Sequence, residues 1–204
     1  MGVTLSKRDL ETIKHYKYST NDATPLEKYC FNHFWEYIAN NCIPDWMAPN
    51  LLTLLGIIFP MASLFAVCLM NPSFEDTMPH WLCFLCFFAN FWYQTIDAID
   101  GKQARRINNC SPLGQLLDHN LDQISITAQM VACCSLMKFH GNIWAIMMSA
   151  PATFSAHYSI EYRMHFTKFH AYHVGNIGAT EQLVLVMLFN LIPCFFPQSN
   201  EIYL

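Results

Sequence analysis

Apolar residues along this chain come in long blocks divided by short polar stretches, and the blocks are long enough to be helices that cross a bilayer. A hydrocarbon core of about 30 Å takes about 20 helical residues. The first block runs over about 51–70, the second over 81–99, the third over 112–137, the fourth over 142–162 and the fifth over 177–196. Upstream the pattern changes. Leu26, Tyr29, Phe31, Phe34, Trp35 and Ile38 recur at near-helical intervals among Glu27, Lys28 and Glu36, the pattern of an amphipathic helix lying at a membrane interface. Pro44 and Pro49 interrupt it, and Asn50 supplies a capping side chain immediately before the first block. The expected fold is all-α: an integral membrane bundle of about five transmembrane helices behind an interfacial N-terminal helix. It divides into an N-terminal segment, 1–50, and a membrane domain, 51–204.

Composition agrees. The 204 residues are 53% hydrophobic and only 13% charged, against about a quarter charged in an average soluble domain. The net charge of −4 gives no reason to expect a nucleic-acid partner. The placement of charge says more. Lys7, Arg8, Lys14, Lys17 and Lys28 precede the first block, Lys102, Arg105 and Arg106 follow the second, and Arg163 and Lys168 follow the fourth. The opposite side receives only Lys138, so the positive-inside rule puts the N-terminus and the end of the second block in the cytosol.

Several local patterns read more simply as structure. Most of the nine cysteines lie inside apolar blocks, where a thiol behaves as a small hydrophobe, and Cys83 and Cys86 have the C-x-x-C spacing without a second pair for zinc. His165, His170 and His173 lack the acidic or thiol partners of a usual zinc site. Asn109-Cys-Ser111 matches a glycosylation acceptor but falls on the cytosolic side, and Met1-Gly2 with Ser6 matches the myristoylation pattern only minimally. The N-terminus lacks the apolar core of a cleavable signal peptide.

The acidic residues are different. Asp97 and Asp100 are three apart at the end of the second block, and Asp118 and Asp122 four apart at the start of the third. On helices each pair projects from one face on successive turns, and two antiparallel helices joined by a short link bring the pairs together. Any one of these aspartates could be a helix cap or a solvated interface residue. Four carboxylates in one pocket repel each other strongly, and hard divalent cations, Mg2+ or Mn2+, relieve this. Two such ions hold a diphosphate and stabilise a leaving phosphate oxygen. Gly101 and Gly114 allow close approach, while Lys102 and Arg105 can meet phosphate charge.

Asp97-Ala-Ile-Asp100-Gly101-Lys-Gln-Ala104-Arg105, then Gly114, Asp118 and Asp122 at their spacings, resembles the full signature of the CDP-alcohol phosphotransferases. The resemblance implies transfer of a substituted phosphate from a CDP-linked donor to an alcohol, with release of CMP. It makes Asp97, Asp100 and Asp118 metal ligands and Asp122 a ligand or a base near the acceptor. Asp97, Gly101, Lys102, Ala104, Arg105, Gly114 and Asn50 would line the CDP site. Tyr16-Lys-Tyr-Ser19, Phe34-Trp35 and Ala48-Pro49-Asn50-Leu51 are similar to the eukaryotic choline/ethanolamine phosphotransferases. That branch implies CDP-choline or CDP-ethanolamine as donor and diacylglycerol as acceptor, in endoplasmic reticulum or Golgi membrane. His119 then becomes the general base for the diacylglycerol hydroxyl, oriented by Glu181, although a first-turn glutamate is also favoured by the helix dipole alone.

That branch has about ten membrane helices, six of them around the active site even in compact relatives, against the five counted here. The expectation is a C-terminally short form, active alone or as a dimer that completes its packing. The alternative is a catalytically inactive membrane protein that binds CDP and metal or pairs with a full-length relative. An ion pathway through the acidic pocket is disfavoured because the acids cluster at one face. CDP-diacylglycerol chemistry is disfavoured by the N-terminal resemblance.

Overall fold

A computed structural model of the chain describes residues 23–73, 78–137 and 177–195 continuously, together with isolated positions elsewhere. Within these stretches the fold is helical. A π-helical turn at Glu27–Phe31 leads into α1 (Asn32–Asn41), followed by α2 (Pro49–Gly56), α3 (Ile58–Met70), α4 (His80–Arg106), α5 (Pro112–Leu136) and α6 (Ala179–Phe195). A two-stranded antiparallel ribbon, β1 (His173–Val174) and β2 (Ile177–Gly178), pairs His173 with Gly178 just before α6. Of the expected fourth helix, 142–162, only scattered positions such as Met148, Phe154 and Tyr158 are described, and these are helical; His165 and His170 lie outside the described residues.

Pro49–Met70 and His80–Arg106 are long and apolar enough to cross a membrane, and Ala179–Phe195 is a shorter apolar helix. Their outer faces carry Ile58, Phe65, Leu69, Phe84, Phe88, Leu185, Leu188 and Phe189 exposed. Water would penalise such a surface; lipid does not.

The first block is one span built as two helices. Pro60 has no N–H to give the Gly56 carbonyl and its ring crowds that carbonyl, so the helix steps at Ile57 before resuming. Asn50 does not cap this helix, contrary to expectation. Ala48, extended at ψ 138°, is the N-cap without a side-chain bond, and Pro49 takes the first helical position. Asn50 is already inside the first turn. Gly56 is where α2 meets α4, since a Cβ there would stand 3.3 Å from Ile96 Cγ2.

The second block runs further than its apolar pattern. α4 is a single helix of 27 residues, about 40 Å long, so Lys102, Arg105 and Arg106 belong to its last turns and not to a link. Tertiary bonds hold that extension. Gln103 Nε2 donates to the carbonyls of Pro44 (3.1 Å) and Met47 (3.0 Å). Arg106 donates to the carbonyls of Ala39 and Ile43 and pairs with Asp45 at 3.0 Å, placing a cation on the C-terminus of α1 where the helix dipole favours one. α4 stops at Asn108, whose φ of 53° is the left-handed conformation asparagine tolerates, with Asn109 N–H bonded to the Ala104 carbonyl at 2.8 Å. Three residues later Ser111 caps α5, its hydroxyl accepting from Gly114 N–H at 3.0 Å.

α4 is the central helix, with α1, α2, α3, α5 and α6 all packed on it. Two apolar clusters mark its ends. Val67, Met78, Leu82, Cys83, Cys86, Ala132 and Leu136 form one, and Trp35, Ala39, Leu52, Ile96 and Ile99 the other. Trp35 and Ala39, four apart on α1, bury the same face, and Phe31 stacks on Trp35 with centroids 5.2 Å apart.

Candidate functional site

The antiparallel meeting of α4 and α5 brings the aspartates together. Oxygen atoms of Asp97, Asp118 and Asp122 all lie within 4.8 Å of one another. Two oxygens on a single magnesium-sized ion lie up to about 4 Å apart, and two-metal sites place their ions about 3.5–4 Å apart. An all-oxygen donor set at this spacing therefore fits hard divalent cations. Asp122 also accepts from the Tyr93 hydroxyl at 2.8 Å, and Tyr93 is buried one turn before Asp97 on the same face of α4.

Asp100 stands beside this triad. Three residues beyond Asp97 on α4, its carboxyl is buried and held by α2, where the Thr53 hydroxyl lies 2.5 Å from Asp100 Oδ2. Thr53 is 47 residues away in sequence, and no local pattern identifies it. Tyr93, by contrast, could have been found from its i−4 relation to Asp97.

His119 is buried on α5 next to Asp118 and interacts electrostatically with Asp97. Glu181 lies in the first turn of α6, where its Oε2 accepts from the Gly178 N–H at 2.7 Å, the capping-box geometry of a third-position glutamate. Its Oε1 accepts from the Thr24 hydroxyl at 2.5 Å, tying the N-terminal segment to α6. A carboxylate has about four acceptor positions, so these two bonds leave capacity for more.

The basic residues divide. Lys102 is turned toward α1, donating to Asn32 Oδ1 at 2.5 Å and pairing with Glu36 at 3.6 Å. Arg105 is exposed, and its guanidinium would be 3.5 Å from a Cβ on Gly101. Between α1 and the end of α4 lies an open groove of about 490 Å³ lined by Glu36, Ala39, Asn40, Lys102, Arg105 and Arg106. Ala104 is half-buried on the same turns of α4. Asn50 and Gly114 meet on the other side, where a Cβ on Gly114 would stand 3.1 Å from Ser111 Oγ and 3.2 Å from Asn50 Oδ1.

One acidic residue near the site was not anticipated. Burial pushes the Glu27 carboxyl above its ordinary range; the Thr24 contact and the Lys102 ammonium oppose this, while the Glu181 and Asp97 carboxylates add to it. The N-terminal segment thus brings its own carboxylate toward the aspartates.

Residues 46–200 match the CDP-alcohol phosphatidyltransferase family. The chain is 38% identical to cholinephosphotransferase 1 of Saccharomyces cerevisiae over 67% of its length and 34% of the relative's. It is 31% identical to choline/ethanolaminephosphotransferase 1 of the same yeast over 94% of its length and 48% of the relative's. With choline/ethanolaminephosphotransferase 2 of Arabidopsis thaliana the identity is 36% over 85% of this chain and 43% of that protein. The chain therefore spans between a third and a half of the length of these relatives. With apolar spans that meet at converging aspartates, and with the family match running over 46–200, this helical membrane protein belongs to the CDP-alcohol phosphatidyltransferase family.

Proposed function

We propose that this chain carries the catalytic centre of a phospholipid-synthesising enzyme, moving phosphocholine or phosphoethanolamine from CDP-choline or CDP-ethanolamine to diacylglycerol and releasing CMP. The observation that carries this reading is the convergence of Asp97, Asp118 and Asp122 within 4.8 Å at the end of two apolar helices. Similarity to proteins named for cholinephosphotransferase and choline/ethanolaminephosphotransferase activity supplies the substrate class.

Asp97, Asp118 and Asp122 would hold two Mg2+ or Mn2+ ions, with Asp100 completing the set from its bond to Thr53. When bound, the ions neutralise the diphosphate and stabilise the leaving phosphate oxygen. Gly101, Ala104, Arg105, Gly114 and Asn50 line the approach for CDP, and Lys102 exchanges its contacts on α1 for phosphate. His119, buried beside Asp118, takes the proton of the attacking diacylglycerol hydroxyl, and Glu181 orients it. Asp122 faces the acceptor side, held by Tyr93.

The wider reading is an interfacial segment, 1–50, and a membrane domain, 51–204, with five spans. The site would face the cytosol from an endoplasmic reticulum or Golgi membrane, with the chain acting alone or as a homodimer. The test is release of CMP by purified protein in lipid with Mn2+, CDP-choline or CDP-ethanolamine, and diacylglycerol. Asp118→Ala should abolish release, and chelation should do the same reversibly. Wild type and variant equally silent, with metal-dependent CDP binding retained by the wild type, would instead leave the chain as a binding protein.

A further inference from the structure

At the far end of α4 from the aspartates, three helices bring thiols together. Cys83 is in the first turn of α4 and fully buried; Cys194 is in the last turn of α6 and packs, half-buried, against the cluster that holds Cys83 and Cys86. The Cys194 thiol lies 3.6 Å from the carbonyl of His80, three residues before Cys83 on α4, and packs against the cluster that holds Cys83. Both are free.

The C-x-x-C spacing suggests Cys86 as the partner of Cys83, and the fold argues against it. Residues three apart on a helix hold their Cβ atoms about 5–6 Å apart, while a disulfide needs about 3.5–4.5 Å. Cys194 reaches Cys83 from a different helix, free of that constraint. The pair also sits at an edge that water can reach. His80 and Trp81, in the same first turn of α4 as Cys83, are exposed, and an exposed tryptophan at a helix end is the usual anchor at a membrane surface. Cys86 and Cys133 are deeper in the bundle and buried. On the orientation that the Lys and Arg distribution favours, this edge faces away from the cytosol, toward a compartment where disulfides persist.

We propose that Cys83 and Cys194 are a redox-modifiable pair that closes into an interhelical disulfide, pinning the start of α4 to the end of α6. The oxidant is a disulfide of the glutathione class or of a thiol–disulfide exchange protein. The Cys194 thiolate, the more accessible, attacks one sulfur of that disulfide and expels the first thiolate. The Cys83 thiolate then attacks Cys194 Sγ in the mixed disulfide and expels the second, so two thiols of the protein are oxidised, one disulfide is reduced, and the two protons end on the released thiols. The lock bears on the opposite end too, because α6 carries Glu181 in its first turn and its Thr180 carbonyl lies 3.5 Å from Gln94 Nε2 on α4.

The experiment uses the full chain in lipid nanodiscs equilibrated with oxidised and reduced glutathione, trapped by alkylation and mapped by mass spectrometry. The expected result is loss of two hydrogen masses, a cross-linked peptide joining Cys83 to Cys194, reversal by dithiothreitol, and a rise in unfolding temperature on oxidation. Cys194→Ser should lose both the cross-link and the rise. The mapping on the unaltered chain stands even if that variant fails to fold. A Cys83–Cys86 cross-link, a glutathione adduct that stays on Cys194 without resolving, or complete alkylation of both thiols under oxidising conditions would overturn the proposal.

Discussion

The two ends of α4 solve opposite problems with the same helix. At one end Leu82, Cys83 and Cys86 join Val67, Ala132 and Leu136 in an apolar packing. At the other, Asp97 and Asp100 meet Asp118 and Asp122, and Tyr93, Thr53, Gln103 and Arg106 spend their hydrogen bonds holding neighbouring segments in place. An apolar end tolerates rearrangement that preserves volume, whereas an acidic end requires every partner in place, because a buried carboxylate without compensation is costly. The contrast predicts that substitutions at the first end change stability and those at the second change chemistry.

The largest separation should come from Asp97→Asn against Leu82→Ala. Asp97→Asn removes one member of the triad and should lower CMP release by about a thousandfold or more, a loss of several kcal/mol of transition-state stabilisation, while the unfolding temperature in lipid holds or rises. Leu82→Ala should do the reverse, costing about 2 kcal/mol of stability through the cavity it leaves while kcat is retained. Equal effects on both readouts would mean that the two ends are not independent.

Thr53→Val tests the support of Asp100 from α2. Loss of an outer partner of this kind costs about 10–100-fold, and Thr53→Ser should restore most of it. An unchanged activity profile in Thr53→Val would remove Thr53 from the site.

Between the ends, Asn90 on α4 is 1% exposed and its side-chain amide has no hydrogen-bond partner among the described residues. Replacing an unpaired buried amide by an apolar group of similar shape is neutral or stabilising, so Asn90→Leu should gain about 1 kcal/mol, read as a higher unfolding temperature. A fall would show that the amide is engaged during function or folding.

The smallest effect concerns Glu27. Its raised pKa means that the folded protein holds this proton more tightly than the unfolded chain. Docking of the N-terminal segment should therefore weaken as pH rises from the ordinary glutamate range through the raised value. Protection factors over residues 25–41, taken after correction for the pH dependence of intrinsic exchange, should fall as pH rises above the ordinary glutamate range in the wild type and much less in Glu27→Gln; an identical pH response in both would assign the effect to another group.

Helical spacing alone determined that Asp97 with Asp100, and Asp118 with Asp122, share a face, because i, i+3 and i, i+4 geometry is local. Apolar block length likewise marked the helices at 51–70, 112–137 and 177–196, now seen as α2 with α3, α5 and α6. What the chain could not disclose locally depended on contacts across it. The extension of α4 through Arg106 is held by carbonyls of the segment between α1 and α2, the Asn50 side chain was displaced from capping by Pro49, and Glu181 is joined to Thr24 across 157 residues. The cysteines show the same division. The spacing of Cys83 and Cys86 is written in four residues, but the approach of Cys194 to their cluster is set by how α6 lies against α4. Local periodicity states which side chains share a helix face; only packing between helices states what that face meets.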